Sequence, residues 1–490
     1  MAATPALLPP RAPFTVAVHN TRSRRVEAVE PLRPGHLGMY SCGPTVYAPQ
    51  HIGNMRSQVV ADLLRRAFAA SGLQVDHVIN ITDVGHLTGD ADDGDDKLEL
   101  AATRSGESAG EIVARYTEQW QQDRSLLGCA EPTVLPRATD HIAEMIVMVQ
   151  ALEAAGNTYR TDDGIYFDTS TFEHYTDLTG QDLAAMETTG RVEGVDLKRH
   201  PADFALWKFS PDGVQRQQEW DSPWGVGFPG WHIECSAMST KYLGDQFDVH
   251  TGGVDHIAVH HTNEIAQSEC SLHLHPWVPY WVHHEFLKLG ADKISKSSGH
   301  TLVLSDLIDQ GFDPLAFRLF LLQAHYRSQQ DFSIDGLGGA QAALERLRRR
   351  AADARDDAAA RGLELDPGIA QPFRDRFWAA IADDVNTPQA LAVAFELARA
   401  ADLSSAEVYA LLVDFDDLLG LDLADAPSTT AADVAVDDID PAAQALLAER
   451  TAAREAKDWA RADAIRDQLV AGGFEIIDTA AGPRLRRTSS

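Results

Sequence analysis

Cysteine is scarce: four residues in 490, at Cys42, Cys129, Cys235 and Cys270. So few cannot staple a chain of this size, which excludes a disulfide scaffold and leaves reduced thiols or metal ligation as their use. Long apolar runs are missing too. No stretch approaches the ~18 residues of a membrane span, and residues 1–13 have neither a basic start nor a long apolar centre, so the expectation is a cytoplasmic chain with no membrane partner. Positive charge is the third shortage. Lys and Arg number 42 against 73 Asp and Glu, a net charge of -31, so a polyanionic partner has to meet a local basic face. Arg346, Arg348, Arg349 and Arg350 form one candidate face, Arg461 and Arg466 a second, and Arg484, Arg486 and Arg487 a third. There is no fixed-period repeat.

What is present suits packed cores. The hydrophobic fraction is 44%, and 490 residues divide into about three or four domains. Residues 14–80 alternate strand-like runs (FTVAVHN, HLGMYSC, QVDHVIN) with helix, the pattern of a parallel α/β sheet. Within them, residues 42–54 (CGPTVYAPQHIGN) join a strand-like run to a helix predicted from about Met55 to Ala70, with apolar residues at Val59, Val60, Leu63, Leu64 and Phe68. A loop between the carboxyl end of a strand and a helix N-terminus offers free N–H groups to a phosphate, so a nucleotide fits there.

Residues 88–96 (TGDADDGDD) do not make a calcium loop, because Gly94 falls where an oxygen ligand belongs and no bidentate Glu follows at the right offset. The chain then reads as helical over 97–156, as a Gly-, Asp- and Thr-rich insertion over 158–220, and as strand and helix again over 227–269. Residues 280–289 (YWVHHEFLKL) are strand-like and run into the polar, Lys-bearing loop DKISKSS. No strand signal appears for more than a hundred residues beyond Gly311. Residues 335–421 read as an Ala-rich helical bundle, 422–440 as a linker, and the last fifty as helices with a hairpin-like end.

Histidine and cysteine crowd together over residues 229–269. His260 and Glu264, four apart in a helical pattern, project from one face and can share a metal. Cys42 at the end of one strand and Cys235 at the start of a helix can add two thiolates, giving a four-ligand set suited to zinc. Spacing does not choose among the histidines, since His256 lies on the same helical face and His250 and His261 are near.

Taken together these residues resemble the cysteinyl-tRNA synthetases, class I aminoacyl-tRNA synthetases, along nearly the whole chain. The His-Ile-Gly-His signature stands here as His51, Ile52, Gly53 and Asn54, and Lys-Met-Ser-Lys-Ser as Lys293, Ile294, Ser295, Lys296 and Ser297. The resemblance places the zinc ligands on Cys42, Cys235, His260 and Glu264. It places substrate contacts on Gly43, Thr82, Trp231 and Asp255, and ATP contacts on His51, Gly53, Asn54, Lys293, Ser295 and Lys296. His51, Lys293 and Lys296 are the implied catalytic residues. AFRLFLLQAHYRSQQDFS from Ala316, DDVNTPQALAV from Asp383 and the end module match as well. Four departures stand out: Asn54 replaces the second signature His, Thr262 replaces an acid in HHTNE, VDHIAV before the His pair adds His256, and an insertion over about 85–94 separates the NITD run from DDK.

The resemblance implies an α/β fold: a class I synthetase Rossmann-type parallel sheet with an inserted connective-peptide domain, then a helical anticodon-binding bundle and a small C-terminal module. The implied divisions are 14–130 and 227–285 for the halves of the Rossmann catalytic domain, 131–226 for the insertion, 286–334 for the stem-contact region with the KISKS loop, 335–421 for the bundle and 441–490 for the end module. It further implies a monomer that activates L-cysteine with ATP and Mg²⁺, holds one Zn²⁺, and transfers cysteine to tRNA(Cys). The rival with the same catalytic core is a cysteine ligase acting on an amino sugar in mycothiol synthesis, and the chain after Asp335 is what such an enzyme does not need.

Overall fold

Four parallel strands form the centre of the computed structural model, side by side in the order Tyr280–His284, Val249–Gly253, His36–Ser41 and Gln74–Ile79. It describes residues 8–85, 96–180, 197–211, 213, 216–289, 301–427, 441–455, 458–472, 474–479 and 482–487. The first strands, Ala17–Asn20 (β1) and Arg25–Ala28 (β2), do not join that sheet as the run FTVAVHN led one to expect; they pair antiparallel with each other. Only four residues separate them, and parallel pairing needs a crossover of a dozen or more.

His36–Ser41 (β3) is almost wholly buried. The helix after it, Ile52–Ala70 (α1), starts three residues before the expected Met55 because His51 caps it. Val59, Leu63, Leu64 and Phe68 are buried beneath it. Gln74–Ile79 (β4) completes the β-α-β unit, in parallel register with β3 from His36 opposite Gln74 to Ser41 opposite Ile79. Lys97–Ser105 (α2), Ala109–Leu126 (α3) and Ile142–Ala155 (α4) follow.

The insertion is an antiparallel sheet of Thr158–Arg160 (β5), Gly164–Phe167 (β6), Phe204–Phe209 (β7) and Gly227–Pro229 (β8). Trp231–Leu243 (α5), Val249–Gly253 (β9), Thr262–Leu272 (α6) and Tyr280–His284 (β10) rebuild the parallel sheet. A single π-helical turn, Ile257–His261, runs into α6.

Leu287–Leu289 (β11) pairs in parallel with Gln330–Phe332 (β12), a strand beyond Gly311 that the sequence did not announce; three residues are too few to show a period. Leu304–Asp309 (α7) and Pro314–Leu322 (α8) lie between them. The bundle is Ile334–Arg361 (α9), Pro367–Ala382 (α10), Thr387–Leu397 (α11) and Ser405–Leu419 (α12). One buried hydrophobic cluster runs from Met39 and Leu64 through Phe317 to Leu344 and Phe415, so sheet and bundle share a core. Pro441–Glu455 (α13), Trp459–Ala471 (α14), Phe474–Thr479 (β13) and Gly482–Arg487 (β14) end the chain around a small core of their own, with Ile465, Leu469 and Phe474 in it.

Candidate active site

All four parallel strands deliver residues to one cavity of about 650 Å³. Cys42 and Gly43 follow β3, Asn80 and Thr82 follow β4, Gly253 ends β9 with Asp255 beyond it, and His284 ends β10. The chain leaves β3 toward β4 on one side and β9 toward β10 on the other, so the cavity sits at the switch point where open α/β sheets bind ligands. Gly43 has to be glycine: its N–H donates to Asn80 Oδ1 at 2.9 Å, and a Cβ would stand 1.6 Å from the Asn80 carbonyl oxygen. Asn80 Nδ2 also donates to Thr82 Oγ1 at 3.0 Å, which leaves the Thr82 hydroxyl hydrogen free for a ligand.

His51 lines the cavity at the N-terminus of α1. Its Nδ1 accepts the Asn54 N–H at 3.2 Å, and burial lowers its pKa, so the neutral ring carries its proton on Nε2 as a donor. Asn54 Nδ2 donates to Gln50 Oε1 at 2.8 Å, so part of the amide's donor capacity is spent inside the loop.

On the opposite wall Cys42, Cys235, His260 and Glu264 bring one ligand atom each within 4.8 Å of one another. Glu264 is fully buried, and His260 Nε2 approaches its Oε1 at 2.6 Å, yet Oε1 accepts no hydrogen bond. Contact without hydrogen-bond geometry is what two atoms facing a common cation show. Hydrogen bonding from Cys42 lowers the Cys235 pKa, while burial and Cys235 raise that of Cys42 well above the usual thiol range. Burial opposes the charge on His260, but Glu264 and Cys235 push its pKa up to about 10. The cluster gathers two thiols, an imidazole and a carboxylate whose protons a divalent cation can replace, a donor set suited to zinc.

A second set overlaps the first: Cys42, His250, His261 and Glu264. His250 Nε2 lies 2.6 Å from Glu264 Oε2 and His261 Nε2 3.3 Å from Cys42 Sγ, but neither histidine lines the cavity, whereas His260 and Cys235 do. His256 lines it without belonging to either set. A third group, His174, Asp177 and His275, is at the surface, where Glu269 at 2.5 Å and Arg22 at 3.0 Å already occupy both nitrogens of His275.

Trp231 stacks on His260 with ring centroids 4.4 Å apart, and the Asp255 carboxylate is more than half exposed beside it. The structure therefore brings Cys42, Gly43, His51, Gly53, Asn54, Thr82, Trp231, Cys235, Asp255 and His260 to one cavity, with Glu264 directly behind. Lys293, Ser295 and Lys296 lie outside the described residues. Sequence reasoning missed His232, whose Nδ1 meets His260 Nδ1 at 2.9 Å, and Lys97 in the cavity wall. The adjacency of His232 to Trp231 and the DDK run were their signals, without any spacing that assigned a role.

The family described as "tRNA synthetases class I (C) catalytic domain" matches residues 28–342, the DALR domain 376–424, and the "Cysteinyl-tRNA ligase anticodon binding domain" 436–480. The chain is 50% identical over 471 residues to cysteine-tRNA ligase 1 of Burkholderia lata, covering 96% of each, and 43% identical over 483 residues to that of Novosphingobium aromaticivorans, covering 97% of each. Among solved structures it is similar to Mycobacterium tuberculosis methionyl-tRNA synthetase in complex with methionyl-adenylate, with TM-score 0.55 at 14% identity over 83% of this chain and 94% of that one. That likeness concerns the fold.

Proposed function

The chain belongs to the cysteine-tRNA ligases, a family of class I synthetases, and on that premise we propose how its cavity joins L-cysteine to tRNA(Cys) at the expense of ATP. A carboxylate oxygen of cysteine attacks the α-phosphorus and pyrophosphate leaves; a terminal ribose hydroxyl of tRNA then attacks the carbonyl carbon and AMP leaves. The observation that carries this reading is the meeting of the signature loop and the Cys-Cys-His-Glu set in one cavity.

Each wall has its own task. His51 Nε2–H and the first N–H groups of α1 meet the phosphates, and Lys293 and Lys296, with Mg²⁺ on the triphosphate, supply further positive charge as it develops. Asp255 takes the amino group, Thr82 donates its hydroxyl, and Trp231 on His260 forms the floor. Cys42, Cys235, His260 and Glu264 hold Zn²⁺, which when bound supplies a Lewis-acidic partner for the substrate thiolate. An apolar pocket alone separates ligands that differ by a methylene-sized change by only ~1–3 kcal/mol, so a sulfur-selecting donor set answers the choice of cysteine over serine. His232, whose Nδ1 meets His260 Nδ1 at 2.9 Å, would orient the His260 ring toward the ion.

We place the enzyme in the cytoplasm as a monomer; no described helix is long and apolar enough to cross a membrane. Pyrophosphate exchange into ATP, assayed with cysteine and with serine, tests the reading: it is expected with cysteine alone, and equal exchange with serine contradicts the sulfur-selecting wall.

A further inference from the structure

Among the described residues, Lys97 is the sole Lys or Arg in the cavity wall, in a chain whose acids outnumber its basic residues by 73 to 42. No described carboxylate pairs with it. Its Nζ lies 5.8 Å from the centroid of the Tyr47 ring, which lines the same wall, and Thr82 is beside them.

Lys97 opens α2, and that helix start is clamped. Asp96 caps it by accepting the N–H of Leu98 at 2.7 Å and of Glu99 at 3.1 Å, and pairs with Arg216 from the insertion. The next two insertion residues add to the grip. The Gln217 N–H donates to Glu99 Oε1 and its Oε1 accepts from Ala109, both at 2.8 Å, while Gln218 bridges the Gly85 N–H and the Asp83 carbonyl, also at 2.8 Å. An ammonium on a clamped helix start in the cavity wall, with no counter-ion among the described residues, suits an anionic ligand; beside the cysteine carboxylate, which is the reacting group, the anions brought to this cavity are the phosphate esters of ATP and of the tRNA end.

We propose that Lys97 is a phosphate-binding residue of the cavity, positioned by the clamp from the inserted domain, taking an oxyanion of the ATP triphosphate or of the 3′-terminal phosphodiester of tRNA. This rests on the functional reading above. The experiment uses the full chain as wild type, Lys97→Met and Lys97→Arg. Cysteine-dependent pyrophosphate exchange against ATP concentration reads the triphosphate; single-turnover transfer from preformed cysteinyl-adenylate against tRNA concentration reads the phosphodiester.

Lys97→Met is expected to raise the half-saturating concentration in one arm by about tenfold. Lys97→Arg should restore most of it, and the KM for cysteine should stay within about twofold. A rise in the ATP arm identifies the triphosphate, and a rise in the tRNA arm the phosphodiester. Unchanged values in both arms, a failure of Arg to restore, or a cysteine KM that moves as far as the others overturns the assignment. Wild type that shows no cysteine-dependent exchange overturns the functional reading itself, which separates the two failures.

Discussion

His260 is held at both ends of its ring, with Nδ1 2.9 Å from His232 Nδ1 and Nε2 2.6 Å from Glu264 Oε1. His261 is held at both nitrogens as well, by His283 at 2.7 Å and Cys42 Sγ at 3.3 Å, but it does not line the cavity as His260 does, which is the ground for the proposed ligand set. Cys235→Ala is therefore expected to lose both the metal and cysteine-dependent exchange, while His256→Ala keeps about one zinc per chain by metal analysis. Loss of zinc in His256→Ala would move the ligand assignment. Asn54→His should be tolerated, because the amide's hydrogen bond goes to Gln50, within the loop; a fall in exchange beyond about tenfold would show that Asn54 itself serves ATP. The meeting of Cys42, Cys235, His260 and Glu264 was legible in the sequence only as a crowd of residue types costly to bury unless partnered, with His250, His256 and His261 left open until the family resemblance chose among them. His232 and Lys97 were not, because their roles come from distant partners: His260 is 28 positions away, and Arg216 is 120 positions from the Asp96 that caps the Lys97 helix.

At the scale of elements, α1 connects the site to the rest of the molecule. Its buried Arg56 donates to the carbonyls of Phe286 at 2.9 Å and Ser328 at 2.7 Å, holding the cavity edge against the loop before β12. One turn and a half later Asp62 receives Arg66 and the fully buried Arg318 of α8, each at 2.7 Å, and Arg318 also donates to the carbonyls of Leu127 and Leu419. Helix α1, helix α8, the end of α3 and the bundle meet in these few bonds. Arg318→Met should destabilise the chain by about 3–5 kcal/mol in urea unfolding, because a buried carboxylate loses a partner and two buried carbonyls lose a donor. A change under about 1 kcal/mol would show that Arg66 suffices. Helices were legible because 3.6-residue periodicity runs over many residues. Strands β1 and β12 were misplaced or missed because a run of three or four residues carries no register information.

On the scale of the whole molecule, charge and core set the expectations. Of the basic residues on α9, Arg348 pairs with Asp313, Arg355 with Asp356 and Arg361 with Asp357, and Arg350 donates to the Ala398 carbonyl, leaving Arg346 and Arg349 exposed as the cations a phosphate backbone can meet. Because sheet and bundle share one core, a cut at the start of the bundle would open it. The separable piece is the end module with its own small cluster. Truncation after residue 427 should keep cysteine-dependent exchange within about twofold and lower tRNA charging by an order of magnitude; equal losses in both assays would show that the module supports the catalytic core instead.

Acid should weaken the fold as a whole. Buried His77 has its pKa pushed down to about 3 by burial, with Arg65 and Arg124 adding to it, against about 6.5 in the unfolded chain. Between those values the unfolded chain binds the extra proton, so stability present above pH ~6.5 drains as pH falls toward 3, by ~1.4 kcal/mol per tenfold difference in proton affinity. The urea midpoint should fall from pH 7.5 to pH 5, less steeply in His77→Gln; identical slopes would remove His77 from the account.

Charging of tRNA with labelled cysteine by the zinc-loaded full chain tests the central claim most directly. Cysteine should become RNA-linked in an ATP-dependent reaction, released by mild base as an ester is, and serine should compete poorly. Exchange that proceeds without RNA-linked cysteine, with the label appearing on an added amino sugar, would contradict it.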